Sequence, residues 1–311
     1  MGLSPRLCQQ HIRPFHYTFT AFSLLFHYTL QNMYKLLVLD LDGTLTNSQK
    51  EITPHTLDVL LRAQEQGLRI VLASGRPVYG IAPLADQLQL ASHDGYVLAY
   101  NGGQIIRWSD KQIIAQQTLD PEVLPYIYEC SKRQIPNAEG VVKPFQVLSY
   151  RGNAVFSEDP DDQYVHYECW LNKMPCERVD NFLEAVPGLL PKCLIVGDPE
   201  PLHQLELEMA EHLKGRNGVY RSEAFFLEIV PLGIDKAKTL AILLSHLDLT
   251  KEEMICCGDG YNDQSMIEYA GLGVAMANAK PEVRAVADYI TLSNEEDGVA
   301  AVVEKFVYEG S

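Results

Sequence analysis

Short apolar runs, interrupted by a charge only at Arg69, punctuate the chain. Leu36–Leu39, Leu68–Ala73, Tyr96–Tyr100, Met254–Cys257 and Leu272–Met276 are each four to six residues long. They are too short for lone helices and show no polar face, so each reads as a strand buried on both sides. Between them the apolar period lengthens to that of a helix. Thr53 and Pro54 open one helix as N-cap and first-turn residue; Leu57, Leu60 and Leu61 give its apolar face and Gly67 ends it. Gly233-Ile234-Asp235-Lys236 opens another, with Ala237, Leu240, Leu243 and Leu244 on one side. Pro281–Ala287 reads as a helix and Asp297–Val307 as a closing amphipathic one. Strands joined through helices pair in parallel with right-handed crossovers. The pattern predicts an α/β fold with a doubly wound parallel sheet.

The rhythm changes between residues 111 and 230. Helical segments (Pro121–Gln134, Asp161–Leu171, Pro201–Leu213) alternate with strand-like ones (Gln146–Tyr150, Cys193–Val196, Phe225–Ile229), and proline is frequent. This stretch is expected to be a second α/β unit inserted into the first, leaving residues 33–110 and 231–311 as the core. Residues 1–32 differ again, with no Asp or Glu at all. They are too interrupted for a membrane span and carry no clear cleavage site for a leader. They are expected to be a non-core extension, disordered or an artefact of the assigned start, with Met33 as the functional start.

Composition narrows the function. A hydrophobic share of 47% with 21% charged residues is that of a globular chain. Acidic residues outnumber basic ones 41 to 25, a formal charge of −16, which argues against general nucleic-acid binding. It leaves room for a small anionic substrate held in a local cationic pocket. Seven cysteines without a CxxC pair fit a reducing cytoplasm, with Cys256 and Cys257 in the core.

The chemistry gathers at the ends of the predicted strands, where open α/β sheets keep their sites. The first run ends in Asp40-Leu41-Asp42-Gly43-Thr44. If the strand continued, Asp40 and Asp42 would point to the same side. They would then repel unless a cation sat between them or one was protonated. A hard dication with oxygen ligands, Mg²⁺ first, answers this. The second run ends in Ser74-Gly75-Arg76, where a hydroxyl and free N–H groups before a helix can cradle a phosphate. The third ends in Asn101-Gly102-Gly103. Lys236 stands in the first turn of its helix, where a cation opposes the dipole, so a nearby anion is needed to explain it. The run before residue 258 ends in Gly258-Asp259-Gly260-Tyr261-Asn262-Asp263.

Asp-x-Asp-Gly-Thr, Ser-Gly, Lys236 and Gly-Asp-x-x-x-Asp, in that order, resemble the four signatures of the haloacid dehalogenase-like (HAD) phosphohydrolases. Arg76, the Asn101-Gly102 pair and Asn262 resemble the Cof-like branch, and the insert falls where its C2B cap belongs. The resemblance implies a Rossmann-like core with an inserted α/β cap. It implies that Asp40 is a nucleophile and Asp42 a general acid and base. Mg²⁺ would be held by the carboxylates of Asp40 and Asp259 and the Asp42 backbone carbonyl, with Asp263 orienting a metal-bound water or Lys236. Ser74, Gly75, Lys236, Asn262 and the Leu41 backbone would hold the phosphoryl group, with Arg76 and Asn101 beside them and Thr44 supporting Asp42. The implied partner is a small phosphorylated metabolite, a sugar phosphate foremost, with no nucleic acid or membrane; monomer and dimer stay open. A phosphomutase of the phosphomannomutase type is the alternative, and a non-catalytic phosphate-binding protein a more distant one.

Overall fold

The first apolar run is fully buried, and its residues alternate between two packed layers. Leu37 and Leu39 join Ile70, Leu72 and Val97 on one face; Leu36 and Val38 join Val71, Ala73 and Leu98 on the other. A strand covered on both faces needs apolar residues at every position, which is why the run shows no alternation. The computed structural model describes residues 34–308. The expected extension over residues 1–32 and the start at Met33 lie outside the described residues.

The chain begins with β1 (Leu36–Leu39), α1 (Pro54–Glu65), β2 (Arg69–Ala73), α2 (Val78–Gln87) and β3 (Tyr96–Ala99), then β4 (Gln104–Arg107) and β5 (Ile113–Gln116). A second unit follows: α3 (Leu124–Ser131), β6 (Gln146–Arg151), β7 (Ala154–Ser157), α4 (Gln163–Leu171), β8 (Cys176–Arg178), α5 (Phe182–Ala185), β9 (Cys193–Val196), α6 (Pro199–His212), β10 (Asn217–Glu223) and β11 (Phe226–Pro231). The chain returns through α7 (Lys236–Leu247), β12 (Met254–Gly258), α8 (Gln264–Tyr269), β13 (Leu272–Ala275), α9 (Pro281–Val286), β14 (Tyr289–Ile290) and α10 (Gly298–Val303).

The larger sheet has the order β14-β13-β12-β1-β2-β3-β4-β5. It is parallel from β14 to β3, and β4 and β5 close it as an antiparallel hairpin. The smaller sheet runs β10-β11-β9-β6-β7-β8, antiparallel except for β7 beside β8. One face of the smaller sheet, with Cys193, Ile195 and Leu227, packs against the helical residues Ile127, Leu205 and Met209. The other face, with Leu148, Tyr150, Leu194 and Phe226, turns toward the core.

Three expectations shift. The expected start of the insert, residue 111, falls inside the β4–β5 hairpin of the larger sheet; every strand of the smaller sheet lies between Gln146 and Pro231. The apolar face of α1 centres on Val59, Leu60 and Ala63, with Leu57 and Leu61 only half-buried. Thr56 and Gln64 are buried there because each has a partner: Thr56 Oγ1 donates to Asp297 Oδ1 at 2.9 Å and Gln64 Nε2 to the Leu88 carbonyl at 2.8 Å. The closing helix is α only from Gly298 to Val303 and continues as a wider π-turn over Glu304–Tyr308. Cys256 and Cys257 are buried in β12 as expected. Among the described residues no helix is long and apolar enough to cross a membrane.

Helix α8 lies so close over β13 that a Cβ on Gly273 would stand 2.1 Å from the Ile267 carbonyl oxygen. Backbone cannot yield as a flexible side chain can. Gly273→Ala is therefore expected to cost about 1–3 kcal/mol of stability, read as a lower urea midpoint with an unchanged slope.

Candidate active site

Strand β1 stops at Leu39, and Asp40 still donates its N–H to the Cys257 carbonyl at 3.0 Å. The chain then folds into a tight loop anchored by the buried side chains of Leu41 and Leu45. The Leu41 carbonyl accepts from both the N–H and the hydroxyl of Thr46, at 2.9 and 2.8 Å. Gly43 has φ +86°, and a Cβ there would meet the Asp259 carboxylate at 2.4 Å. Glycine is what lets the loop after β1 approach the loop after β12.

Lys236 lies at the centre. It is the first residue of α7, a helix capped by the Asp235 side chain, and its own side chain is buried. Its Nζ donates to Asp40 Oδ1 at 2.8 Å, Asp263 Oδ1 at 2.5 Å and the Ala73 carbonyl at 2.9 Å. Burial alone would lower its pKa, but Asp263 and Asp40 outweigh it and push the value up. Asp263 also accepts from the N–H groups of Asp259 and Gly260 through Oδ2, at 3.0 and 2.9 Å. One carboxylate thus holds both the loop and the lysine.

Asp40 is driven well above the usual carboxylate range, by burial first and by Asp263 next, with Lys236 pulling the other way. Asp259 is pushed up to about 6, again by burial first and Asp263 next. Oxygens of Asp40, Asp259 and Asp263 lie within 4.8 Å of one another. Three carboxylates share one ammonium, so the group is short of positive charge. A hard dication with oxygen ligands fits that donor set.

Asp42 departs from expectation. Its carboxylate is not among those three. The strand ends before it, so the alternation that would have aligned it with Asp40 does not extend so far. It is gripped by Arg76, Nε to Oδ2 at 2.8 Å and Nη2 to Oδ1 at 2.6 Å, and by Lys50 Nζ at 2.7 Å. Burial would raise its pKa, but these two cations outweigh it and hold it below the usual range. Arg76, expected beside the phosphate, is engaged with Asp42. Thr44, expected to support Asp42, instead donates to Asp259 Oδ1 at 3.1 Å.

Ser74 is buried, and its hydroxyl accepts from the Arg76 N–H at 3.2 Å. Gly75 borders the cavity, with the Asn101 amide close to where a Cβ would stand. Asn101 has φ 56° and accepts from Asn262 Nδ2 at 3.0 Å; its own Nδ2 donates to the hydroxyl of Tyr220, on the smaller sheet, at 3.4 Å. Lys50 and Asn278 were not singled out in the sequence. Asn278 donates to the Gly43 carbonyl at 2.8 Å, and its partner is too distant in the chain for spacing to reveal.

A cavity of ≈ 1120 Å³ separates the two sheets. Asp40, Lys236 and Asp259 line its core side; Glu168, Lys192 and Glu228 line it from the cap. On the flank, Asn172 Oδ1 has no hydrogen-bond partner and lies 2.5 Å from where a Cβ on Gly80 would be. Carboxylates and a buried lysine at the carboxyl edge of a parallel sheet, under an inserted α/β cap, define a capped α/β hydrolase. The chain belongs to the haloacid dehalogenase-like hydrolase family, whose sequence model matches residues 37–303. A haloacid dehalogenase-like hydrolase from Bacteroides thetaiotaomicron superposes with a TM-score of 0.82 at 49% identity, covering 88% of this chain and 99% of that one. YxeH of Bacillus subtilis (strain 168), named as a phosphatase, is 31% identical over 88% of this chain and 99% of its own length. From the same organism, the 5-amino-6-(5-phospho-D-ribitylamino)uracil phosphatase YcsE is 29% identical over 88% and 96%.

The folded pKa of Asp259, about 6, lies above its ordinary 3.8. A carboxyl raised in the fold contributes stability at low pH that is lost as pH climbs through that window. A dication favours the ionised form and works in the opposite sense. The rise in melting temperature on adding Mg²⁺, against an EDTA control, is therefore expected to be larger at pH 7 than at pH 5. Equal rises at both would contradict metal binding at this cluster.

Proposed function

We propose that the protein is a Mg²⁺-dependent phosphatase of small phosphorylated metabolites, sugar phosphates foremost, working through an aspartyl-phosphate on Asp40. The observation that carries this reading is the Asp40 carboxylate, held by buried Lys236 and bordering the cavity. Asp40 Oδ attacks phosphorus and the ester P–O bond breaks. The leaving oxygen takes a proton from Asp42. Water then attacks the acyl phosphate, gives its proton to Asp42, and inorganic phosphate departs with Asp40 restored.

Arg76 and Lys50 hold Asp42 as a carboxylate, the form that accepts the proton from water. Its acid role requires one of these contacts to loosen when ester is bound. Lys236, Ser74, Gly75 and Asn262, which line the cavity with Asp40, would hold the phosphoryl oxygens. Asp40 and Asp259, with the Asp42 carbonyl, would hold Mg²⁺, which supplies charge neutralisation between nucleophile and phosphate. The name of YcsE describes a phosphatase of one such small phosphorylated metabolite.

A panel of phosphorylated metabolites with Mg²⁺, read by released phosphate, tests the reading. Asp40→Asn is expected to leave less than about 1% of activity, a loss of more than ~2.7 kcal/mol in transition-state stabilisation. EDTA should abolish turnover and Ca²⁺ should inhibit it, since its looser oxygen shell misplaces the attacking carboxylate. Full turnover in metal-free buffer would reject the mechanism.

A further inference from the structure

The cap side of the cavity carries five charged residues: Glu168, Lys192, Arg221, Glu223 and Glu228. Both cations are already matched. Lys192 Nζ lies 2.8 Å from Glu228 Oε2, with the two side chains 5% and 7% exposed. Ser222 completes the pair by donating to Glu228 Oε1 at 2.9 Å. Arg221 Nε lies 2.8 Å from Glu206 Oε2, on a carboxylate outside the cavity lining. Glu168 is buried and held by neutral donors, the Tyr150 hydroxyl at 2.6 Å and Asn172 Nδ2 at 2.7 Å.

On the core side Lys50 and Arg76 are bound to Asp42, and Lys236 to Asp40 and Asp263. Among the described residues lining the cavity, Lys280 is the cation without a carboxylate partner. It is exposed, and its backbone N–H is bonded to the Asp259 carbonyl, beside the reacting end.

We propose that this cap wall is a charge filter, admitting phosphomonoesters with a neutral, hydroxyl-bearing body and turning away those with a second phosphate or carboxylate. The proposal rests on the phosphatase reading and deepens it. A second anion carried on the substrate body would be buried against Glu168 and Glu228, where the cap offers no unpaired cation and Lys280 stands at the opposite, core side. Hydroxyls fare differently: they can donate to those carboxylates and to the Ser222 oxygen, and accept from the Tyr220 hydroxyl. The filter also separates hydrolase from mutase, because a phosphomutase must hold a bisphosphorylated intermediate in the same cavity.

The test uses binding as well as turnover. Calorimetry on the full-chain Asp40→Asn protein with Mg²⁺ compares a hexose 6-phosphate with a hexose 1,6-bisphosphate. The monophosphate is expected to bind about a hundredfold more tightly. Adding Glu228→Gln frees Lys192 and should narrow that ratio about tenfold. Glu206→Gln frees Arg221, in a more exposed setting that spares the fold, and should move the ratio the same way. Circular dichroism reports whether each variant is folded. Equal binding of the two sugars, or a ratio unmoved in both folded variants, overturns the filter. A clear binding preference without wild-type turnover of any monophosphate supports the filter and overturns the phosphatase reading instead.

Discussion

The ammonium of Lys236 is the point on which the catalytic edge depends. The ends of β1, β2 and β12 reach it through Asp40, the Ala73 carbonyl and Asp263. A buried cation is tolerated only when its partners surround it, and buried carboxylates only when a cation is near. Each therefore makes the others possible. The helix dipole opposes a lysine at the start of α7, and this cage is what offsets it. Removing the lysine would leave two buried carboxylates facing each other, so the fold itself depends on the residue.

The same accounting of charge explains the contrast between Asp40 and Asp42. They stand two positions apart, yet one sits with carboxylates and the other between two cations. The first is pushed toward its neutral form unless positive charge arrives. The second is held ionised until positive charge withdraws. Two identical side chains acquire opposite tendencies from their surroundings.

Much of this could be read from the chain. The strand-end motifs brought Asp40, Asp259, Asp263 and Lys236 together because each lies beside a short apolar run whose topology leaves little freedom. The direction of Asp42 could not be read, since strand β1 ends before it and the deciding partners, Arg76 and Lys50, come from other segments. A helix after Ser74-Gly75-Arg76 was expected, but the extent of α2 was not legible, because Gly80 and Pro83 weaken its helical pattern although tertiary contacts sustain it. The hairpin β4–β5 was missed because β5 is exposed or half-buried along its length and carries no apolar run of strand type. The polar wall of the cap follows from pairings between distant residues, such as Lys192 with Glu228, which local spacing does not encode.

Gly80 sets a distance. Its missing side chain leaves the space that Asn172 Oδ1 occupies, so core helix and cap meet there with nothing between them. Its carbonyl also accepts from Arg76 Nη1 at 3.4 Å, which ties the contact to the clamp on Asp42. One carbon at this position would act as a doorstop, seating the cap farther from the core without touching any catalytic residue. The seating of the cap is thus written in a core helix that contributes no residue to the cavity lining.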